Sequence, residues 1–219
     1  MSLKGLMLGA MAGAFQASLL DGDGRPGPGP LGASARRENL AHGAWVDVRP
    51  AWIAGADALF DRLVTAVPWQ ADRRHMYDRM VDVPRLVCFY GEDQRLPDPL
   101  LARARDALNE HYAAPLGEPF TTAGFCYYRD GRDSVAWHGD TIGRGGTEDT
   151  MVAIVSLGTP RALRLRPRGG GASARYQLGH GDLLVMGGSC QRTWEHAILK
   201  TAKPTGPRIS VQFRPSGVR

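Results

Sequence analysis

Beyond Pro119 the chain breaks into short runs of β-type composition separated by Gly, Pro and Asp: FTTAGFCYYRDG, SVAWHGD, TMVAIVSLG, ALRLRPRGGG, ARYQLGHGDLLVMGG and RISVQFRP. Several short strands at such spacing fold as a sandwich or barrel of antiparallel pairs. Arg129-Asp130-Gly131-Arg132 carries the chemistry of a tight turn between two of them.

The first half is different in texture. From Gly55 the apolar residues fall at helical spacing, with Leu59, Leu63 and Val67 on one stripe, Phe60 and Val64 beside them, Asp57 as a candidate cap and Pro68 as a stop. A second helix is signalled by Asp98 as cap, Pro99 at the first helical position, and Leu101, Ala104 and Leu108 spaced to share a face. The expected fold class is therefore α+β, a β-sandwich with supporting N-terminal helices. Asp21 to Asn39 is dense in Gly, Pro and charge, so residues 1–39 are expected to form a flexible segment. A single domain would then span 40–219, with helical support over 40–118 and the β core over 119–219.

At 43% apolar residues in 219, the chain can bury one substantial core. Its net charge of +5 suits an anionic partner such as nucleic acid. Cys88, Cys126 and Cys190 are odd in number and far apart, which points to neither a disulfide framework nor a zinc site but to a reducing compartment. Lys4 to Phe15 has one cation and a short apolar run, interrupted by glycines that weaken any export signal. No later apolar run approaches the roughly 20 residues that span a bilayer. A soluble cytoplasmic monomer without a membrane partner is expected.

In an extended segment, side chains two apart share a face, so His138 and Asp140 of SVAWHGD can present an imidazole and a carboxylate to one point. A second histidine would complete the two-His-one-carboxylate face that leaves positions open on ferrous iron. His180-Gly181-Asp182 repeats the spacing. His196, the only histidine C-terminal to both pairs, lies far enough beyond the first to come from a different strand. The first pair is therefore the candidate; Asp182 is assigned to a turn that opens a strand and His180 to an exposed loop.

PRISVQFRP sets Arg208, Ser210, Gln212 and Arg214 on one strand face and Ile209, Val211 and Phe213 on the other. An arginine at each end of a polar face is costly to bury unless an anion is there. Two long side chains leaning together close most of the roughly 20 Å between those ends. A dicarboxylate fits between them, held by the bidentate guanidinium fork.

YRDGRDSVAWHGD, VSLG, GDLLVMGGSCQRTWEH and PRISVQFR, in that order, resemble the AlkB-type dioxygenases, from about Pro84 to Pro215. The resemblance implies a double-stranded β-helix, or jelly roll, that uses Fe(II), 2-oxoglutarate and O2 to remove alkyl groups from nucleic-acid bases. Bases such as 1-methyladenine and 3-methylcytosine in DNA would be restored with release of formaldehyde, succinate and CO2. The same chemistry on RNA, tRNA, a protein or a small molecule stays open, as does a non-catalytic nucleic-acid-binding sandwich.

Carried over by position, the resemblance makes His138, Asp140 and His196 the catalytic iron ligands. Arg208 would hold the distal carboxylate of 2-oxoglutarate with help from Tyr128, Arg214 would sit toward the metal, and Ser210 would lie between. Cys126 stands where the family usually has asparagine, and Thr141-Ile142-Gly143 where its repair members commonly carry acidic residues. The segment covering a flipped base would fall within Trp69 to Arg85, with Trp69, Met76 and Tyr77 as stacking candidates. RALRLRPR sets Arg164, Arg166 and Arg168 on one strand face, as a strip that would contact a nucleic-acid backbone or as a solvated outer strand, and Arg161 at its head is a further substrate-binding candidate. Trp137 and Trp194 would stiffen the metal ligands beside them.

Overall fold

A computed structural model describes residues 25–76 and 79–218. Strands β1 (Gly27–Pro28), β2 (Arg36–Asn39), β3 (Ala44–Arg49) and β4 (Ile53–Ala54) come first. Helix α1 (Ala56–Ala66), strands β5 (Gln70–Met76) and β6 (Arg79–Tyr90) and helix α2 (Pro99–Leu116) follow. The remainder is β: β7 (Phe120–Tyr128), β8 (Val135–His138), β9 (Val152–Gly158) and β10 (Arg161–Pro167). Next come β11 (Ala174–Leu178), β12 (Asp182–Gly188), the short helix α3 (Cys190–Thr193), β13 (Trp194–Ile198) and β14 (Arg208–Pro215).

Antiparallel pairing assembles an eight-stranded sheet in the order β2-β3-β12-β9-β14-β7-β6-β5, a four-stranded sheet β11-β10-β13-β8, and the small pair β1-β4. The two larger sheets stack as a jelly-roll sandwich. Period-two alternation decides which residues go where. Ile209, Val211 and Phe213 of β14, with Val155 and Leu157 of β9, meet Leu59 and Leu63 of α1 and Leu101 and Leu108 of α2 on the outer face of the large sheet. The opposite face buries Ile154, Leu184 and Met186 against Leu163, Leu165 and Trp194 of the small sheet. The polar face of β14 therefore looks into the space between the sheets.

Helix α2 follows its sequence signals. Asp98 Oδ1 accepts the Leu100 N–H at 2.8 Å, Pro99 occupies the first turn, and Gly117 closes the helix in a left-handed conformation. Asp98 Oδ2 also takes a hydrogen bond from Arg62 of α1 at 2.6 Å, tying the two helices together. Asp98→Ala is expected to lower stability by about 1 kcal/mol, the usual worth of an N-cap. Asp98→Asn, which keeps the cap, should lose distinctly less, because the exposed Arg62 contributes little. Urea unfolding of the three proteins separates the two contributions.

Four sequence expectations are corrected. Gly55, not Asp57, caps α1; no side chain caps that helix, and Asp57 lies in its first turn. The Gly- and Pro-rich segment is not free from residue 25 onward, since β1 pairs with β4 and β2 with β3. Backbone pairing is blind to side-chain polarity, and Arg37 adds a bidentate pair to Asp47 at 2.8 Å. The stretch 40–118 contains β3 to β6 as well as the helices. Finally, the turn at Asp130 joins β7 and β8 in different sheets, carrying the chain across the sandwich instead of closing a hairpin. Among the described residues no helix is long and apolar enough to cross a membrane.

Candidate active site

Strand β13 pairs with β8 in a register that sets His196 opposite His138. Directly opposed residues project from the same face, and the imidazole centroids come within 4.2 Å. Strand β8 ends at His138, and Asp140 reaches the same point because Gly139 lets the chain pass close to α3. A Cβ at position 139 would lie 2.4 Å from the Gln191 carbonyl oxygen and 2.7 Å from an Arg168 nitrogen. The buried Gln191 side-chain oxygen accepts the Asp140 N–H at 3.0 Å and fixes the backbone there. One ligand atom each from His138, Asp140 and His196 then falls within 4.8 Å of the others.

The protonation states suit a cation. His138 Nδ1 lies 2.8 Å from the Ala136 carbonyl, so that nitrogen holds the proton and Nε2 offers its lone pair to the cluster. Burial pulls the His138 imidazole down and His196 down to about 3, so both are neutral, as ligands must be. Burial alone would raise the Asp140 carboxyl, but Arg214, whose Nε donates to Oδ2 at 2.8 Å, and next His196, hold it well below the usual carboxylate range. Two neutral imidazoles and one anionic carboxylate on one side of a cavity fit ferrous iron, leaving room for further ligands.

Beside the cluster lies a narrow pocket of about 80 Å³ lined by Cys126, Tyr128, Arg208, Ser210, Gln212 and Arg214 among others. The β14–β7 register builds it, pairing Arg208 with Tyr128, Ser210 with Cys126 and Arg214 with Thr122. Arg208 is 1% exposed and has no carboxylate partner among the described residues. Its Nε donates to Ser156 Oγ at 3.0 Å, while Nη1 is buried without a hydrogen-bond partner. A buried guanidinium in that state is strongly unfavourable unless an anion joins it. Burial pushes the Tyr128 phenol up, so it remains a neutral donor beside that position, its ring 5.3 Å from the Arg208 guanidinium. Ser210 Oγ accepts from Gln212 at 2.6 Å. The pocket thus has a buried guanidinium at one end and the His138-Asp140-His196 cluster at the other.

The substrate candidates are placed less favourably. Trp69 packs on Tyr127 and Phe125, 5.2 and 6.4 Å between centroids, and donates its indole N–H to the Val64 carbonyl. Those residues belong to the helix-side core, across the sheet from the pocket, which takes Trp69 away from a stacking role. Met76 closes β5, and Tyr77 lies outside the described residues. Arg161 does not offer itself to a substrate: it is buried and donates to the carbonyls of Asp130, Asp133 and Leu199. Arg164, Arg166 and Arg168 are exposed as expected, but Arg166 and Arg168 share Glu195, and Arg166 lies over Trp137 at 4.3 Å. Trp194 is buried and donates to the Ala41 carbonyl.

His180 is not on an exposed loop. Its Nδ1 accepts the Gly158 N–H at 2.7 Å and its Nε2 lies 3.1 Å from Asp57. Asp182 opens β12 as expected, accepting the N–H groups of Gly179 and Ala51. Ser156, Gln191, Arg85 and Gly124 went unread in the sequence. Arg85 reaches Cys126 Sγ at 3.4 Å and the Ser134 carbonyl at 3.2 Å on the pocket wall. A Cβ at position 124 would lie 2.8 Å from Arg214 Nη1, so glycine there gives that guanidinium its room. Ser156 had a signal: it is the one polar residue in VAIVSLG, on the same face as Ile154.

Residues 85–214 match the model of the 2OG-Fe(II) oxygenase superfamily, more than half of the chain. Alpha-ketoglutarate-dependent dioxygenase alkB homolog 3 of Homo sapiens is 29% identical over 178 residues, covering 73% of this chain and 61% of that protein. DNA oxidative demethylase ALKBH2 of Homo sapiens is 27% identical over 184 residues, covering 74% of this chain and 69% of that protein. The first curated relatives are longer, and the chain spans 53% to 61% of their length. A solved 2OG-Fe(II) oxygenase-family oxidoreductase from Burkholderia pseudomallei shares the fold, with a TM-score of 0.55 and 13% identity over 78% of this chain and 84% of that one.

Proposed function

The chain belongs to the 2OG-Fe(II) oxygenase superfamily and is a 2-oxoglutarate-dependent dioxygenase using Fe(II) and O2, and on that premise we propose that it removes alkyl groups from the ring nitrogens of nucleic-acid bases, DNA foremost. The observation that carries the reading is the meeting of the His138-Asp140-His196 cluster with a buried, uncompensated Arg208 in one pocket. Similarity to two AlkB homologues, one of them named a DNA oxidative demethylase, and the chain's positive charge support a nucleic-acid substrate.

His138, Asp140 and His196 would hold the iron. Arg208, with Tyr128 and Ser210 alongside, would take the distal carboxylate of 2-oxoglutarate and so orient its keto acid end toward the cluster. Arg214 keeps Asp140 ionised and aimed, while Gln191 holds the backbone from behind. Iron with 2-oxoglutarate and dioxygen supplies, when bound, the oxidising power to hydroxylate an N-alkyl carbon, whose product falls apart to formaldehyde and the free base. The apolar walls of Val135, Ile154, Leu163 and Ile198 limit water in the pocket. A base inside a duplex must be flipped out to reach it.

With Fe(II), ascorbate and 2-oxoglutarate, the protein should release formaldehyde from single-stranded DNA carrying 1-methyladenine or 3-methylcytosine. His138→Ala should reduce release to background. Methylated RNA and duplex DNA run alongside report strand and sugar preference. Should 2-oxoglutarate be consumed while every methylated oligonucleotide stays intact, the base-dealkylation reading is wrong.

A further inference from the structure

Gln212 is 8% exposed and shares the polar face of β14 with Arg208, Ser210 and Arg214, all of them lining the narrow pocket. A buried carboxamide carries N–H donors at one end and an acceptor oxygen at the other, and both ends need partners. Its Nε2 donates to Ser210 Oγ at 2.6 Å and to the Ser210 carbonyl at 3.0 Å, while Oε1 faces the Cys126 thiol at 3.8 Å. The carbonyl settles which way the amide points. An amide oxygen 3.0 Å from a carbonyl oxygen would be repelled, so the nitrogen lies on the Ser210 side and the oxygen on the Cys126 side.

That orientation decides what Ser210 can do. A hydroxyl has one hydrogen to give and lone pairs to receive with. Because Oγ receives the Gln212 N–H, the Ser210 hydrogen must point elsewhere, and among the described residues Oγ donates to no acceptor. Arg208 makes the same demand. Its Nε is taken by Ser156 Oγ, and its Nη1 is buried without a hydrogen-bond partner. Ser210 stands two residues from Arg208 on one strand face, and Ser156 lies opposite Ser210 in the β14–β9 register, so the two unmet donors belong to one wall of the pocket. Buried donors left without acceptors are costly, and one anion between these two answers both.

We propose that Gln212 is a positioning residue for 2-oxoglutarate that acts through Ser210: by donating to Oγ it commits the Ser210 hydroxyl to donate in turn to the carboxylate at Arg208. The proposal rests on Arg208 being the seat of that carboxylate. Hydrogen bonds in series polarise one another, so the Gln212 donation also strengthens Ser210 as a donor. A thiol is a weak donor, so Cys126 lends the amide little and the two Ser210 contacts hold it in place.

Calorimetric titration of the full chain with 2-oxoglutarate in the presence of Mn(II) reads binding without turnover. Ser210→Ala removes the donor and should weaken 2-oxoglutarate about tenfold, as for one hydrogen bond to a charged group. Gln212→Met keeps the side-chain volume without the amide, frees the Ser210 hydrogen to turn away, and should weaken binding about fivefold. Because Gln212 works through Ser210, the double variant Ser210→Ala/Gln212→Met should bind no more weakly than Ser210→Ala alone. A side chain that merely packs in the wall, or that touches the diacid itself, gives losses that multiply. Mn(II) affinity without 2-oxoglutarate should be the same in Gln212→Met as in the wild type. Wild-type affinity for 2-oxoglutarate in Gln212→Met, losses that multiply in the double variant, or a fall in its Mn(II) affinity, which would put the effect at the metal cluster, each overturns the proposal. Arg208→Met decides the parent reading separately. Wild-type affinity in that variant removes the seat and this proposal with it, whereas a severe loss there beside an unaffected Gln212→Met removes the role of Gln212 alone.

Discussion

Arg208→Met is expected to weaken 2-oxoglutarate binding severely and yet to leave the metal-free chain as stable as the wild type or more so. The guanidinium is fully buried, its Nε donates to the neutral Ser156 hydroxyl, and its Nη1 has no hydrogen-bond partner. Replacing even a buried ion pair by apolar side chains of similar volume is often neutral or stabilising by about 1–4 kcal/mol, and a buried charge that lacks its partner is costlier to keep. On the proposed role the same charge would supply the bidentate grip on a carboxylate, and its loss should weaken 2-oxoglutarate by about two to three orders of magnitude. Calorimetric titration with 2-oxoglutarate in the presence of Mn(II), together with urea unfolding in the absence of both, reads the two effects. Arg208→Lys should fall between, keeping the charge without the fork. Wild-type affinity in Arg208→Met would place the diacid elsewhere. A loss of several kcal/mol in stability would show that the guanidinium is satisfied by the protein itself.

The placement of Arg208 on a buried polar face was legible in the sequence because β14 alternates so cleanly. Ile209, Val211 and Phe213 had to face a core, which forced Arg208, Ser210, Gln212 and Arg214 onto a shared polar face. Strands of this kind announce themselves through side-chain periodicity, as do the stripe and cap of α2. Among the strands missed, β2 and β5 are rich in Arg, Asp, Glu, Gln or Asn and are held by backbone hydrogen bonds that any side chain permits, whereas β3 and β6 do carry Val and aromatic residues. The metal cluster was legible only in outline. Nothing local to His196 specifies that it opposes His138; that follows from how β13 pairs with β8. The decisive contacts around it come from residues whose chemistry is silent in one dimension. Gly139 and Gly124 matter for the atoms they lack, and Gln191 for a single hydrogen bond across the sandwich. His180 shows the converse: its His-x-Asp spacing copies the ligand pair, but its Nδ1 is taken by the Gly158 N–H.

Arg214→Met is expected to act in the opposite sense from Arg208→Met, destabilising the metal-free chain by about 3–5 kcal/mol. Both partners of the Arg214–Asp140 pair are nearly buried, at 13% and 5% side-chain exposure, so removing the guanidinium strands an ionised carboxylate in the interior. A divalent ion at the cluster replaces the missing positive charge. Saturating Mn(II) should therefore stabilise Arg214→Met more than it stabilises the wild type, where any bound metal already gains about 2.7 kcal/mol at a hundred times its dissociation constant. In the wild type the Asp140 carboxylate that would hold the ion is already paired with Arg214; in the variant it is not. Asp140→Asn separates this from simple loss of packing, since it removes the carboxylate and with it both the penalty for losing Arg214 and most of the response to Mn(II). The double variant Asp140→Asn/Arg214→Met should then be more stable, metal-free, than Arg214→Met alone. If Mn(II) instead raises wild type and Arg214→Met by the same increment, the carboxylate that Arg214 holds is not one that the metal uses, and Asp140 leaves the ligand set.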